Sequence, residues 1–391
     1  MELTLEAITI IVNNTGSRSD IAVLCRVSKT FRRVAERALY NTIYLRTPGE
    51  SQAVSNTLAT CARIASLVAS LTISIVEEDE TEDESDESYE DDYRDVLPEG
   101  FWEGMALALQ KATNLRSLTI HSQGTSIPAS AEILRSTTFS LRKFHCDFDW
   151  DGDLVQFLNS QTELQDLYIL DFKQTPTTYP TIQTTTTTST PSPPTSSMTL
   201  NASAMPNLMT LECTFSEAAD HIVPHRPITH LKTCFSRTEM SEKRVEMDRL
   251  FNNISLSSKA IRSLDIADSS YSESFAMEIL RKVVSTEVTR KDLRYLGTLV
   301  LPVEGQERLQ FYGLLMKLPA LKCLEVEVSA WVPPPTSTAA FRALASELRL
   351  YCLTVTSVVF VLDFERTLVT IRNGVCAVNA DAGTDLLWRE M

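Results

Sequence analysis

Apolar residues recur along this chain in one spacing, apolar-x-x-Leu-x-apolar. It runs through Val68/Leu71/Ile73, Leu115/Leu118/Ile120, Leu141/Phe144/Cys146, Leu164/Leu167/Ile169 and Leu208/Leu211/Cys213. It continues through Ile228/Leu231/Thr233, Ile261/Leu264/Ile266, Leu296/Leu299/Leu301, Leu321/Leu324/Val326 and Val355/Val358/Phe360. Successive middle positions are 47, 26, 23, 44, 20, 33, 35, 25 and 34 residues apart. Alternate residues of an extended backbone point to one side. Each stretch therefore predicts a short strand with its leucine buried and its intervening residues, such as Ser117, Thr119, Glu325 and Glu327, facing solvent. Between the strands, apolar residues at helical period predict helices over 101–113, 154–158, 275–284, 309–318 and 341–350.

Strand, helix and short link in repetition predict a parallel sheet on one face and helices on the other. One such unit cannot bury its own apolar stripe, so the units stack into a shared core. The pattern resembles a degenerate leucine-rich repeat, whose units run about 20–29 residues. The resemblance implies an α/β leucine-rich-repeat solenoid over residues 48–391. A conventional α/β domain with coincidental spacing is the competing reading, and ten occurrences in order weigh against it. Near the end, alternating stretches at 368–371 and 375–378 flank Asn373-Gly374. That predicts a β-hairpin with a type I′ turn, a cap near 368–391 for the exposed end of the stack.

Residues 1–47 do not fit the repeat. Leu3, Leu5, Ile8, Ile11 and Val12 form one amphipathic stripe. Asp20 is placed to cap a second helix carrying Ile21, Leu24, Cys25, Val27, Ser28, Phe31 and Val34. A third short segment ends in Ala38-Leu39-Tyr40-Asn41-Thr42-Ile43-Tyr44-Leu45. This layout resembles the F-box that precedes divergent leucine-rich repeats in large fungal families. The family's first helix opens Leu-Pro-x-Glu-apolar-apolar; here Leu3-Thr4-Leu5-Glu6-Ala7-Ile8 has Thr4 in place of the proline. Its second helix is matched by Asp20-Ile21-Ala22-Val23-Leu24-Cys25-Arg26-Val27-Ser28-Lys29-Thr30-Phe31-Arg32. Leu39-Tyr40-Asn41-Thr42-Ile43 and the closing Asp385-Leu386-Leu387-Trp388-Arg389 are also typical. The resemblance implies a small three-helix segment that docks on a Skp-family adaptor through Leu5, Ile8, Ile11, Ile21, Leu24, Val27 and Phe31. It further implies the substrate-recognition subunit of an SCF-type cullin–RING ubiquitin ligase, with the repeats holding a protein substrate. The alternative is a leucine-rich-repeat scaffold whose degenerate F-box no longer binds the adaptor.

Charge changes the picture in one place. The chain of 391 residues has a formal charge of −15, and −12 of it lies in residues 77–95, thirteen acids against Arg94. The rest is near neutral, without the clustered basic residues that a nucleic-acid surface needs. A second biased tract, 174–199, is rich in Thr, Ser and Pro. Neither tract can bury apolar surface, so both are expected to be disordered inserts. Thr175-Pro176, Thr190-Pro191 and Ser192-Pro193 resemble proline-directed phosphorylation sites, and Ser85 and Ser88 acidophilic-kinase sites. No apolar run approaches the roughly 20 residues of a membrane helix, and Glu2 and Glu6 stand where a secretory signal would be basic. Cytoplasm or nucleus is the expectation.

Chemistry-bearing motifs are sparse. Asp147, Asp149, Asp151 and Gly152 satisfy the opening of a calcium loop, but its closing glutamate is replaced by Leu158. The simpler reading is a turn in which Asp151 or Asp153 caps a helix. His221, His225, His230, Cys213 and Cys234 are close in sequence, yet Pro224 and Pro227 break the helix that would align them for zinc. The eight cysteines form no Cys-x-x-Cys pair and suit reduced, buried thiols. No phosphate-cradling glycine loop or nucleophile elbow is present. A non-enzyme without metal or cofactor is expected, and Trp102, Trp150, Trp331 and the prolines 333–335 are candidate partner contacts.

Overall fold

A computed structural model describes residues 3–75, 97–122, 125, 128–170, 199–268, 270–380 and 382–391. The acidic tract 77–95 and residues 174–198 of the Thr/Ser/Pro tract, with their candidate phosphorylation sites, lie outside the described residues. The chain is α/β and divides into two compact units, residues up to 166 with 199–205, and 167–170 with 206–391.

The first unit opens with three helices, α1 (Leu5–Asn13), α2 (Arg18–Leu24) and α3 (Lys29–Tyr40). Strand β1 (Thr42–Leu45) comes next, inside the stretch expected to be wholly helical. It pairs in parallel with β2 (Ser70–Ser74), which pairs with β3 (Ser117–His121), which pairs with β4 (Lys143–Cys146). Ile43, Leu71, Leu118 and Phe144 stand in register across the four strands, as do Leu45, Ile73, Ile120 and Cys146. All eight are buried. Helices Pro48–Thr60, Phe101–Lys111 and Gly152–Ser160 lie between the strands in sequence. Phe157 of the last packs edge-on to Phe144, ring centroids 5.3 Å apart.

In the second unit, after β5 (Asp166–Ile169), six strands pair in parallel in chain order. They are β6 (Thr210–Cys213), β7 (His230–Cys234), β8 (Ser263–Ala267), β9 (Tyr295–Val300), β10 (Cys323–Glu327) and β11 (Ser357–Leu362). Leu211, Leu231, Leu264, Leu296, Leu324 and Val358 align across them and are buried. Two antiparallel strands close the order, β12 (Glu365–Arg372) and β13 (Val375–Asn379). Both hairpin turns use two residues with positive φ, Asp363-Phe364 and the expected Asn373-Gly374.

A backbone device recurs in both units. The carbonyl just before a strand repeatedly accepts from two successive N–H groups at the start of the next parallel strand. Ala69 takes Arg116 and Ser117, and Arg116 takes Arg142 and Lys143. Thr229 takes Arg262 and Ser263, Arg262 takes Arg294 and Tyr295, and Arg294 takes Lys322 and Cys323. The device fixes the frame of β9, where the expected centre at Leu299 is corrected to Leu296. A β-bulge between Leu296 and Leu299 sets Gly297 and Thr298 opposite Glu325.

The expected solvent face also needs correction. Ser117 and Thr119 are half-buried, but Glu325 and Glu327 are buried, as are Ser263, Asp265, Tyr295, Cys323 and Val359 on that side of the second unit. Glu325 bonds its neighbours instead of water. Tyr295 Oη donates to it at 2.8 Å, Thr298 Oγ1 at 2.7 Å, and Arg366 lies 3.1 Å away.

Candidate docking surface of the first three helices

Each helix starts at a hydroxyl cap. Thr4, standing where the F-box pattern has proline, accepts from the Ala7 N–H at 3.3 Å and starts α1. Ser17, rather than the expected Asp20, caps α2, and Asp20 falls in its first turn. Ser28 accepts from the Phe31 N–H at 3.2 Å and starts α3. The single second helix expected from the sequence is therefore two helices broken at residues 25–28.

Ile8 and Val12 are four residues apart on α1 and meet Ala35 of α3 in a small core. Ile21, Leu24, Cys25, Phe31 and Val34 pack against that core and are half-buried. Two ties hold the three helices to β1 and to the short helix Ala62–Ala65. Arg18 donates to the Leu39 and Thr42 carbonyls at 2.7 and 3.1 Å, and Arg63 pairs with Glu36.

Of the seven residues singled out for adaptor contact, Ile8 is buried, and Ile21, Leu24 and Phe31 are half-buried in the segment's own packing. Leu5, Ile11 and Val27 are 57%, 40% and 60% exposed. Leu3, Ile10 and Val23 are exposed as well, although the sequence pattern did not assign them to the contact. Beside them an open groove of about 640 Å³ is lined by Leu5, Thr9, Ile21, Val34 and Arg37 among others.

The other candidates resolve into structure. Trp102 and Trp150 are buried and so are not surface contacts. Trp331 is half-buried, donates to the Leu301 carbonyl at 2.9 Å and carries Arg308 over its ring at 5.2 Å; Pro335 is buried, whereas Pro333 and Pro334 are exposed. Asp151 caps the helix Gly152–Ser160 by accepting from Leu154 N–H at 2.8 Å, Asp153 pairs with Arg135, and Asp147 accepts from Ser122 N–H. His221 is in the helix Ser216–Ile222, His225 has positive φ, and His230 Nδ1 is 2.9 Å from Thr229 Oγ1. Among the described residues no group of three or more His, Cys, Asp or Glu side chains is placed to hold a metal ion, and no helix is long and apolar enough to cross a membrane. All eight cysteines are free thiols. Burial pushes Cys146, Cys213 and Cys323 up to about 12, so they stay protonated and unreactive at neutral pH.

The buried polar face of the second unit has a pH consequence. Burial first, and then the neighbouring Glu325 carboxylate, push Asp265 from an ordinary 3.8 up to about 6, against the lowering pull of Lys232, Arg366 and a Thr298 N–H bond. Tyr271 and Tyr295 also face it. Below pH 3.8 the folded and unfolded carboxyls are both protonated and the group is neutral toward stability. As pH rises to about 6 the unfolded chain releases the proton that the fold retains. Stability therefore falls across that window, by on the order of 3 kcal/mol. Asp265→Asn keeps the shape without the charge. Its melting temperature is expected to exceed the parent's at pH 7 and to match it near pH 4. An equal difference at both pH values contradicts this account.

The chain matches no protein-family model, and no curated protein matches it in sequence.

Proposed function

We propose that this chain is a leucine-rich-repeat protein with an F-box segment, the substrate-recognition subunit of an SCF-type cullin–RING ubiquitin ligase in the cytoplasm or nucleus. The segment 3–40 docks on a Skp-family adaptor, and the repeats hold a protein substrate. The receptor performs no chemistry itself; it raises the substrate's effective concentration beside a ubiquitin-loaded enzyme. The observation that carries the reading is that the segment's small core leaves apolar side chains of α1 and of the turn after α2 uncovered. Ile8 and Val12 build a core while Leu5, Ile11 and Val27 remain open to solvent. Such exposed apolar side chains in one short segment suit a protein partner. The recurring shared carbonyl supports the repeat reading, since stacked copies of one unit present the same backbone groups to each other.

The scaffold reading has one observation in its favour: Ile8, Ile21, Leu24 and Phe31 are already engaged within the segment. Co-purification of the full chain with a Skp-family adaptor separates the two. Leu5→Asp, Ile11→Asp and Val27→Asp are expected to weaken retention at least tenfold while shifting stability by only about 0.5 kcal/mol. Leu24→Asp and Phe31→Asp strike the small core and are expected to unfold the segment. A folded parent chain that retains no adaptor leaves the scaffold reading.

A further inference from the structure

Residues 382–391 form no strand, and side chains anchor them to the second unit. Trp388, 2% exposed, sits on Tyr295, Cys323 and Val359, with Leu368 beside it. These residues alternate with the buried leucine ladder, so the seat is on the opposite sheet face. Lys232 lies 5.7 Å from the Trp388 ring centroid and the Arg389 guanidinium 4.5 Å from it. Arg389 reaches Glu212 of β6 at 2.6 Å, the carboxylate that Lys232 holds at 3.3 Å. Asp385 pairs with Arg366 of β12 at 3.0 Å, and Arg294 donates to the Met391 carbonyl at 3.5 Å. Gly383, Asp385, Leu386 and Glu390 are exposed between these anchors.

An apolar floor with a charged rim, taking one aromatic side chain, is the layout of a binding hot spot. The occupant is held by the Trp388 ring, by Leu387 and Met391 packed beside it, by buried Thr384 and by a few polar contacts, without the ladder of backbone bonds that holds β12 and β13. A ligand tethered this way competes at an effective concentration in the millimolar range. We propose that this face is a docking site for a peptide bearing an aromatic residue followed by arginine, and that the chain's own residues 385–389 close it in cis. A protein partner carrying that pair opens the site by displacing them. This goes beyond adaptor docking and does not depend on it.

The probe is a fluorescein-labelled synthetic peptide of residues 384–391, titrated onto the full chain and followed by anisotropy. Full-length Trp388→Ala, its own segment weakened, is expected to bind the peptide at least tenfold more tightly than the parent chain. Adding Glu212→Arg is expected to abolish that binding, and a peptide with glutamate at the arginine position to restore it. Equal affinity for parent and Trp388→Ala, no binding by folded Trp388→Ala, or indifference to the charge exchange would overturn the proposal. If Trp388→Ala does not fold, full-length Arg389→Glu takes its place as host. Failure of both to fold makes the segment a core element and also overturns it.

Discussion

Gly297→Ala is expected to destabilise the second unit by about 3 kcal/mol, the upper end of the usual overpacking range. Gly297 is in the β9 bulge, and its φ is not positive, so the position needs space and not left-handed freedom. A methyl group there would overlap the Asp265 carboxyl and come within 2.7 Å of the Asp265 Cα. Asp265 is buried and its backbone is in the neighbouring strand β8, so neither partner can give way cheaply. Gly313→Ala is the control. Gly313 is in the helix Gly305–Leu315 with nothing within 4 Å of an added methyl, and alanine there is expected to gain up to about 1 kcal/mol. Urea unfolding of the full chain measures both. Equal and small effects would mean that the bulge is looser than described.

Lys243→Met is expected to cost about 3–5 kcal/mol by leaving Asp268 charged and buried without its cation. Lys243 is fully buried in the helix Met240–Ser255; its ammonium pairs with Asp268, donates to Ser270 Oγ at 2.7 Å and lies 5.7 Å from the Phe275 ring centroid. Removing both charges in Lys243→Met/Asp268→Asn is expected to recover most of the loss, since the cost lies in the stranded charge. A double-mutant cycle read by urea unfolding checks this. Additive losses would mean that packing around the lysine stem, and not the charge pair, carries the effect.

These two sites also mark where the sequence stopped being legible. The ten apolar spacings all fall on strands, because a buried period-2 leucine leaves a direct trace. The exception in frame, β9, arises because the bulge lets Leu299 imitate the centre that Leu296 occupies. β1 went unassigned although Tyr40, Ile43 and Leu45 repeat the same spacing; the neighbouring helical resemblance masked it. Of two long helices outside the expected set, Pro48–Thr60 has no apolar stripe, and Met240–Ser255 carries one in Met247, Leu250, Phe251 and Ile254 that charged residues interrupt. Pro48–Thr60 turns Ser51 and Ser55 inward beside Leu58, and Met240–Ser255 buries Lys243 and Glu246 where an apolar residue is the usual choice. Alternation alone places Glu325 and Glu327 at the solvent, and it cannot register that neighbouring strands, the β12 hairpin and the closing segment supply hydroxyls, an arginine and a covering tryptophan.

The candidate site was legible in part for the same reason. The stripe on α1 identified its apolar residues, but one stripe does not say which of them face inward. That depends on where α2 and α3 return, and the break at Ser28 changed the packing expected of a single second helix. Leu5, Ile11 and Val27 are exposed, whereas Ile8 is in the small core and Ile21, Leu24 and Phe31 pack against it.

Hydrogen exchange on the full chain, with and without a saturating Skp-family adaptor, tests the adaptor reading most directly. Slowed exchange across residues 5–28, with the rate in β6–β11 unchanged, is the expected result. Unchanged exchange in residues 5–28, or slowing confined to the second unit, would contradict it.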